Sequence, residues 1–265
     1  MKVYISADIE GVTGASHWDE TEKVKPDYQE FREQMTAEVS AACEGAMQAG
    51  ATEIWIKDAH GTGRNLIASK LPRKIRLIRG WSGHPFSMVQ ELDDSFQAML
   101  MIGYHSRAGS IDNPLAHTFS GNIATLMING RYASELHIYA HAAALVNVPL
   151  VFVSGDKGIC EEAGLLIPGI TTVAVKRGSG NATINIHPRV ATERIREAVQ
   201  TALQDDVSKC RLSMPDEFTV DICYKEHAMA MKASFFPGAV LTQPHTIRFV
   251  SNDYFEVLRL FAFVL

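Results

Sequence analysis

Short apolar runs alternate with helix-like segments along the first two thirds of the chain, and this alternation limits the possible folds. The strand-like runs are residues 3–7, 53–57, 75–78, 98–103, 149–154 and 171–175. From residue 27 to 49, and again from 189 to 207, apolar residues recur every three or four positions, which predicts two amphipathic helices. Strands that alternate with helices pair in parallel. The sequence thus predicts an α/β fold with a largely parallel sheet flanked by helices.

A hairpin and a helix are expected near the middle of the chain, and the character of the sequence changes after residue 212. The Asn129-Gly130 dipeptide lies between two strand-like runs and predicts a β-hairpin, because both turn positions need a positive φ. A helix is expected to follow, over residues 134–146. After residue 212 the chain is richer in β-branched residues, Pro and Phe. We therefore expect residues 1–211 to form the main α/β domain and residues 212–265 a smaller C-terminal α+β domain or β-rich extension.

Composition argues against several classes of partner. The 265-residue chain has a net charge of −5 and lacks the basic surplus that attracts phosphate backbones, so no nucleic-acid partner is expected. No run approaches the roughly 18 apolar residues of a membrane span, so no membrane association is expected. The four cysteines are widely spaced and form no Cys-x-x-Cys pair. This argues against a thiolate zinc site or a disulfide framework, and it favours a cytoplasmic location.

Side chains that can bind metal fall at the ends of three predicted strands. Asp8 and Glu10 follow the first strand, Asp58 and His60 follow the second, and His105 follows the run at 98–103. Residues two apart at a strand end point to the same side. In an open α/β sheet, ligands bind just beyond the carboxyl ends of the strands. The sequence therefore predicts that these groups meet at one edge of the sheet.

Carboxylate and imidazole ligands together suit zinc or a similar divalent ion. Side chains from several strands can hold two ions about 3.5–4 Å apart, and such a pair suits hydrolysis of an amide or ester. A solvated carboxylate or a hydrogen-bonded histidine is the commoner role for any one of these residues, but their coincidence at three strand ends favours a metal centre. Glu135 opens a predicted helix, where the helix dipole favours a carboxylate, so its position alone indicates helix capping.

Several motifs carry a resemblance to a known family. They are Ser6–Gly11, Asp58–His60, Pro85–Val89, Leu92–Phe96, Gly103–Ala108, Ile128–Gly130, Glu135–Leu136 and Gly155–Asp156. Their order and spacing between residue 1 and about residue 176 resemble those of the zinc-dependent D-aminopeptidase family, the DppA type of the bacterial dipeptide operon. No single motif is specific, whereas the ordered set is highly specific.

The resemblance implies a role for each site residue. The family's metal ligands fall on Asp8, Glu10, His60, His105 and Glu135. Asp8 is expected to bridge two zinc ions, and His117 is expected to be catalytic, either as the nucleophile or as a general base and acid. His137 and His141 lie four apart, like the histidines of H-E-x-x-H zinc sites. The family does not use those positions, so we expect them to pack within the fold or lie on the surface.

The resemblance also implies an activity and an assembly. The expected enzyme is a two-zinc aminopeptidase that hydrolyses short peptides from the N-terminus and prefers D-amino acids. The family forms a ten-subunit double ring with an internal chamber, so a homo-oligomer, a decamer, is expected.

Two other functions stay open at this point. One is a metal-dependent hydrolase of another amide, ester or phosphoester bond, although the chain lacks a phosphate-binding glycine loop. The other is a non-catalytic peptide-binding relative, which would have no need for all six site residues.

Two neighbouring side chains also have open roles: Asp58 either orients a ligand histidine or stabilises a turn, and Arg107 either contacts substrate or lies on the surface.

Overall fold

The computed structural model describes all 265 residues, which form twelve strands and six α-helices. The strands are β1 (Lys2–Ala7), β2 (Glu53–Asp58), β3 (Ile75–Ile78), β4 (Ala98–Tyr104), β5 (Ile123–Ile128), β6 (Arg131–Tyr132), β7 (Leu150–Asp156), β8 (Thr171–Ser179), β9 (Ala182–Asn185), β10 (Phe218–Tyr224), β11 (Val240–Gln243) and β12 (Thr246–Ser251). The helices are α1 (Tyr28–Gln48), α2 (Glu135–Leu145), α3 (Lys157–Leu166), α4 (Pro188–Gln204), α5 (His227–Ala233) and α6 (Tyr254–Val264). The three helices expected from the sequence, α1, α2 and α4, are confirmed to within a few residues.

Seven strands form the main sheet, in the order β3-β2-β1-β4-β7-β8-β9. All neighbours pair in parallel except β8 and β9. Every residue of the central strands β4 and β7 is buried, because helices cover both faces of such a sheet and leave no face for polar side chains. The predicted α/β fold with a largely parallel sheet is therefore confirmed.

The chain order reverses between β1 and β4. The chain runs from β1 to β2 and β3 on one side, and then returns to place β4 on the other side of β1. Loops that leave the carboxyl ends of β1 and β4 therefore turn in opposite directions and open a crevice between them. This crevice is where the strand-end side chains were expected to meet.

Five strands form a second, antiparallel sheet, in the order β11-β12-β10-β5-β6. The predicted hairpin joins β5 to β6, with φ of 52° at Asn129 and 74° at Gly130, as this type of turn requires. Strand β10 pairs with β5, so the sheet combines segments from both sides of residue 212. The division into domains at 1–211 and 212–265 stays a prediction.

A continuous cluster of buried apolar side chains links the two sheets. Helix α6 packs against α2, and the Tyr254 hydroxyl donates a hydrogen bond to the Ile138 carbonyl at 2.8 Å. These contacts fix the start of α2, which carries Glu135, relative to the ends of β1 and β4. No helix combines the length and the apolar character needed to cross a bilayer.

Candidate metal centre and active site

The ends of β1 and β4 approach each other closely at the crevice. Gly103 has φ of 72°, and a Cβ at this position would collide with the Asp8 carbonyl. A Cβ at Gly11 would likewise collide with the Tyr104 carbonyl. These two glycines therefore allow the backbone contact that brings Asp8 and Glu10 beside His105, the residue that follows β4.

Asp8 and Glu10 are both 2% exposed and face His60 from the end of β2. The His60 Nδ1 atom lies 3.3 Å from Asp8 Oδ1 and 3.0 Å from Glu10 Oε2. On the other side of its ring, His60 Nε2 lies 2.9 Å from the carbonyl oxygen of Thr21. Since a carbonyl only accepts hydrogen bonds, this contact places a proton on Nε2 and leaves Nδ1 as the nitrogen that faces the carboxylates.

His105 lies beneath the crevice, within reach of two carboxylates. Its Nε2 atom is 3.5 Å from Asp8 Oδ2 and 3.5 Å from Glu135 Oε2. Its Nδ1 atom is 3.0 Å from the Ser106 carbonyl oxygen. This carbonyl places a proton on Nδ1 and leaves Nε2 as the nitrogen that faces the carboxylates. Asp8 therefore directs one carboxylate oxygen to His60 and the other to His105.

Glu135 is the first residue of α2, but it does not cap that helix. Ser134 is the cap, since its side chain accepts a hydrogen bond from the His137 amide. The Glu135 carboxylate is free to turn into the crevice, where Oε1 accepts a hydrogen bond of 2.7 Å from the Phe119 amide. The capping role suggested by position alone thus belongs to Ser134, and Glu135 lies among the candidate ligands.

His117 stacks on His105, with ring centroids 4.3 Å apart and ring planes 10° from parallel. Its Nδ1 atom is 2.9 Å from the Leu115 carbonyl oxygen, and its Nε2 atom is 3.8 Å from Glu135 Oε1. Burial and the charge of His105 lower the pKa of His117. This histidine therefore presents a neutral Nε2 atom to the crevice near neutral pH.

The carboxylates and histidines perturb one another strongly. Burial raises the pKa of Asp8 to about 8, and the negative charge of Glu10 adds to the rise. Burial would also raise the pKa of Glu10, but the neighbouring His60 outweighs burial and holds that pKa well below its usual range. Burial opposes protonation of the two histidines, yet Glu10 raises the pKa of His60 well above its usual value and Glu135 raises that of His105 to about 10. The carboxylates thus need positive charge beside them, from protons or from a metal.

The polar atoms at the centre fit a divalent cation. Glu10 Oε2 and His105 Nε2 are both buried. Neither atom makes a hydrogen bond of good geometry, although acceptor atoms lie nearby. Two groups of three residues place their ligand atoms within 4.8 Å of one another: Asp8, Glu10 and His105, and His105, His117 and Glu135. Carboxylate oxygens and imidazole nitrogens that face each other in this way are the donor set of zinc sites. The two groups, which overlap at His105, therefore fit divalent cations at this end of the sheet.

A second layer of hydrogen bonds holds this centre in place. Asp156, at the end of β7, accepts hydrogen bonds from the amide and hydroxyl of Ser106 and from the Asn113 side chain. Asn113 also donates to the Glu10 carbonyl at 3.0 Å. The buried Lys176 ammonium donates to the same carbonyl. These residues orient the backbone that carries Glu10 and His105.

The centre opens into a cavity of about 600 Å³, lined by Asp8, Glu10, His60, His117 and Glu135. His105 is almost fully buried below its floor. The rim includes Trp18, whose ring meets His117 edge-on at 5.3 Å between centroids, and Trp81, which donates to the Gly61 carbonyl. All six residues singled out in the sequence are thus brought together.

The remaining polar candidates lie outside the cavity. Asp58 accepts hydrogen bonds from the Asn65 and Leu66 amides, so it stabilises a turn and does not touch the His60 ring. The Arg107 guanidinium lies 4.1 Å from the Tyr132 ring centroid, on the surface side of the fold. His137 and His141 stack on each other, and His141 also packs against Phe218 and Tyr254. These two histidines belong to the packing between α2, α6 and the second sheet.

Several residues that shape the centre escaped the sequence analysis as site residues. Asp156 carries the same signal as Asp8, a carboxylate at the end of a buried strand. Lys176 directly follows the apolar run at residues 173–175 in β8, and a lysine buried with such a run needs a specific partner. The carbonyls of Thr21, Ser106 and Leu115 carry no signal at all, because every residue type offers a carbonyl.

Comparisons with known proteins agree with this geometry. The peptidase M55 family model, described as D-aminopeptidase, matches residues 1–263. A curated D-aminopeptidase from Bacillus subtilis (strain 168) is 33% identical over 258 residues, which cover 97% of this chain and 93% of that protein. The solved structure of the Zn-dependent D-aminopeptidase DppA from Bacillus subtilis, described as a self-compartmentalizing protease, matches with a TM-score of 0.92 and 31% identity. That match covers 100% of this chain and 96% of the other.

These matches confirm the family resemblance read from the motifs, and with it the expectation of an aminopeptidase-type enzyme. The chain belongs to the M55 family of D-aminopeptidases.

Proposed function

We propose that the chain is a two-zinc aminopeptidase that hydrolyses short peptides from the N-terminus and prefers D-amino acids there. The observation that carries the proposal is the pair of adjacent three-residue groups that share His105, in a chain of the D-aminopeptidase family. The zinc dependence of the structural relative supports the choice of metal. The second ion is supported by Asp8, whose two oxygens face different histidines.

In this proposal Asp8, Glu10, His60, His105 and Glu135 would hold the metal, and Asp8 would serve both positions. Bound zinc would supply Lewis-acid polarisation of a carbonyl and activation of water. The protein contributes the fixed orientation of the ligands, because carbonyl groups hold the far sides of the His60 and His105 rings.

His117 is the proposed general base and acid. The Leu115 carbonyl holds its Nδ1 atom, so Nε2 faces the cavity as a proton acceptor. We propose that Nε2 accepts a proton from the attacking water and returns it to the amine that leaves when the peptide bond breaks. His117 is also near enough to Glu135 to act as a further ligand, and metal analysis of a His117 variant separates these roles.

The assembly and location are part of the same proposal. The relative of known structure is described as self-compartmentalizing, and a homo-oligomer, a decamer, would restrict access to short peptides here as well. Exposed apolar side chains such as Leu165 and Phe235, which are both 81% exposed, supply surface for contacts between subunits. Four free cysteines support a reducing, cytoplasmic location.

A paired substrate series tests the activity. The purified chain is assayed on D-Ala and L-Ala dipeptides and tripeptides, with and without a chelator and after zinc is restored. The proposal expects release of the N-terminal residue, at least about 10-fold faster for the D-series, loss of activity with chelator and recovery with zinc. Activity that survives complete removal of metal, or cleavage only away from the N-terminus, contradicts it.

A further inference from the structure

A second cavity adjoins the metal centre. It measures about 240 Å³ and shares three lining residues, Trp81, Ser87 and Phe119, with the larger cavity that holds the candidate ligands. It extends from this shared wall toward helix α6, whose Phe261 and Ala262 line its far side. A peptide bound at the metal centre therefore has a neighbouring space into which one side chain can point.

The lining of this side cavity is mostly apolar and aromatic. Besides the shared wall, it includes Pro85, Tyr139, Phe261 and Leu265; its polar members are Ser82, His84 and Gln90, and it contains no Lys, Arg, Asp or Glu side chain. The Phe119 ring meets Tyr139 at 6.0 Å and Phe261 at 5.8 Å between centroids. A charged side chain would lose its hydration here without gaining an ionic partner, whereas an apolar side chain would gain contacts.

Two of the three residues of the shared wall have unusual backbone conformations. Ser87 has φ of 38° and Phe119 has φ of 61°, a region that bulky side chains rarely adopt. At Phe119 this conformation satisfies two demands at once: its amide donates to Glu135 Oε1 at 2.7 Å, and its ring faces Tyr139 and Phe261. The strained backbone of Phe119 thus links the orientation of the Glu135 carboxylate to the wall of the side cavity.

We propose that the side cavity is a specificity subsite that binds the apolar side chain of one of the two residues flanking the scissile bond. This inference rests on the proposed aminopeptidase function and names its substrate class: peptides with a medium or large apolar residue, such as Leu or Phe, next to the bond that is cut. The subsite adjoins the metal centre at Trp81, Ser87 and Phe119, so it can receive only a side chain next to the scissile bond.

Filling the far end of the cavity tests the proposal, because Ala262 lies on α6 and does not line the cavity that holds the candidate ligands. The test uses the full-length zinc-loaded wild type, Ala262→Phe and Ala262→Leu. Phe263→Leu is the matched control, since residue 263 neighbours Ala262 but does not line the cavity. Each protein is assayed on two series of dipeptides built from D-residues, one with Ala, Leu or Phe at the N-terminal position and one with the same residues at the second position. The readout is the ratio of kcat/KM for Leu or Phe over Ala within each protein.

The wild type is expected to favour Leu or Phe over Ala by about 10-fold in one series. Ala262→Phe is expected to lower that ratio to 1 or below, with a smaller loss in Ala262→Leu, while Phe263→Leu keeps the wild-type ratio. Circular dichroism and mass measurements check folding and assembly, and Ala262→Leu carries the test if the Phe variant does not fold. A wild type that cleaves the Ala peptides but shows no apolar preference in either series overturns the subsite alone. An unchanged ratio in both filled variants also overturns it. A wild type that cleaves no dipeptide overturns the proposed function, and the subsite fails with it.

Discussion

His60, His105 and His117 share one arrangement: a carbonyl holds one ring nitrogen, and the other nitrogen faces a carboxylate. The carbonyl contacts decide which nitrogen carries the proton, so the inward nitrogens are free to bind a cation once their protons leave. The orientation of these side chains was beyond prediction from sequence, because their partners are backbone carbonyls, which every residue type offers. The identity of the six side chains was within reach, because their types and their positions in the motifs are visible.

His117→Ala separates catalysis from metal binding. The variant is expected to retain zinc and to lose about 100- to 10,000-fold in kcat, because it removes the proposed proton acceptor. His60→Ala, its comparison, is expected to lose metal as well. Zinc analysis and peptide kinetics on both variants check this expectation. Near-normal turnover in His117→Ala would rule out its catalytic role.

Asp156→Asn tests the hydrogen bonds behind the centre. Asp156 orients Ser106 and Asn113, so loss of its charge is expected to weaken zinc affinity by about 10- to 100-fold. The matched control is Asp216→Asn, at an exposed position far from the site. Zinc titrations in a competing chelator give the two affinities. Equal affinities in the two variants would show that Asp156 serves the fold alone.

Strand ends and helix starts bring the site together, and they explain which parts of it the sequence revealed. Apolar periodicity predicted α1, α2 and α4 and the parallel strands, because each of these signals is local. The pairing of β10 with β5 joins segments about ninety residues apart, and no local pattern reports it. The position of Glu135 beside His105 depends on that packing, which is why its sequence position alone suggested a helix cap.

Gly103→Ala tests the close approach of β4 to β1. A Cβ there needs an unfavourable φ and also meets the Asp8 carbonyl, so the variant is expected to lose about 3 kcal/mol of stability or more, and to bind zinc poorly. Gly50→Ala is the matched control, since Gly50 has φ of 94° but nothing within 4 Å of a Cβ, and it is expected to cost about 1 kcal/mol. Chemical denaturation measures both. Equal losses would mean that the contact with Asp8 is unimportant.

Glu38, buried on α1, makes stability depend on pH. Burial raises its pKa to about 7; Gln34 and the Thr13 amide donate to its Oε1, while Oε2 has no partner. The positive charge of Lys176 opposes the rise. The Glu38 carboxyl loses its proton near pH 4.5 in the unfolded chain and only near pH 7 in the folded chain. The contribution of Glu38 to stability is therefore fully present below pH 4.5. The free energy of unfolding is expected to fall by about 2–4 kcal/mol as pH rises from 4.5 to 7.

Glu38→Gln removes this titration. The difference in unfolding free energy between wild type and Glu38→Gln is therefore expected to shift by that amount in favour of the variant from pH 4.5 to pH 7.5. Chemical denaturation of the metal-free proteins across this range measures it. A difference that stays constant with pH would show that folding does not raise the pKa of Glu38.

In the molecule as a whole, the crevice between β1 and β4 brings three elements of function to one place. It gathers the proposed ligands, it opens into the cavity proposed to receive the peptide, and it adjoins the apolar side cavity beside α6. The α/β fold and the edge of the sheet where ligands meet were predictable from the alternation of strands and helices. The shape of the cavities was not, because it depends on how α6 and the second sheet pack over that edge.

Zinc content is the most direct test of the two-metal centre. The purified chain, stripped with chelator and then dialysed against zinc in neutral, chelator-free buffer, is analysed by inductively coupled plasma mass spectrometry. About two zinc ions per chain are expected for the wild type, and a marked loss is expected for His105→Ala, because both three-residue groups share that histidine. A wild-type chain that binds no zinc, or a His105→Ala variant that still binds two, would contradict the account.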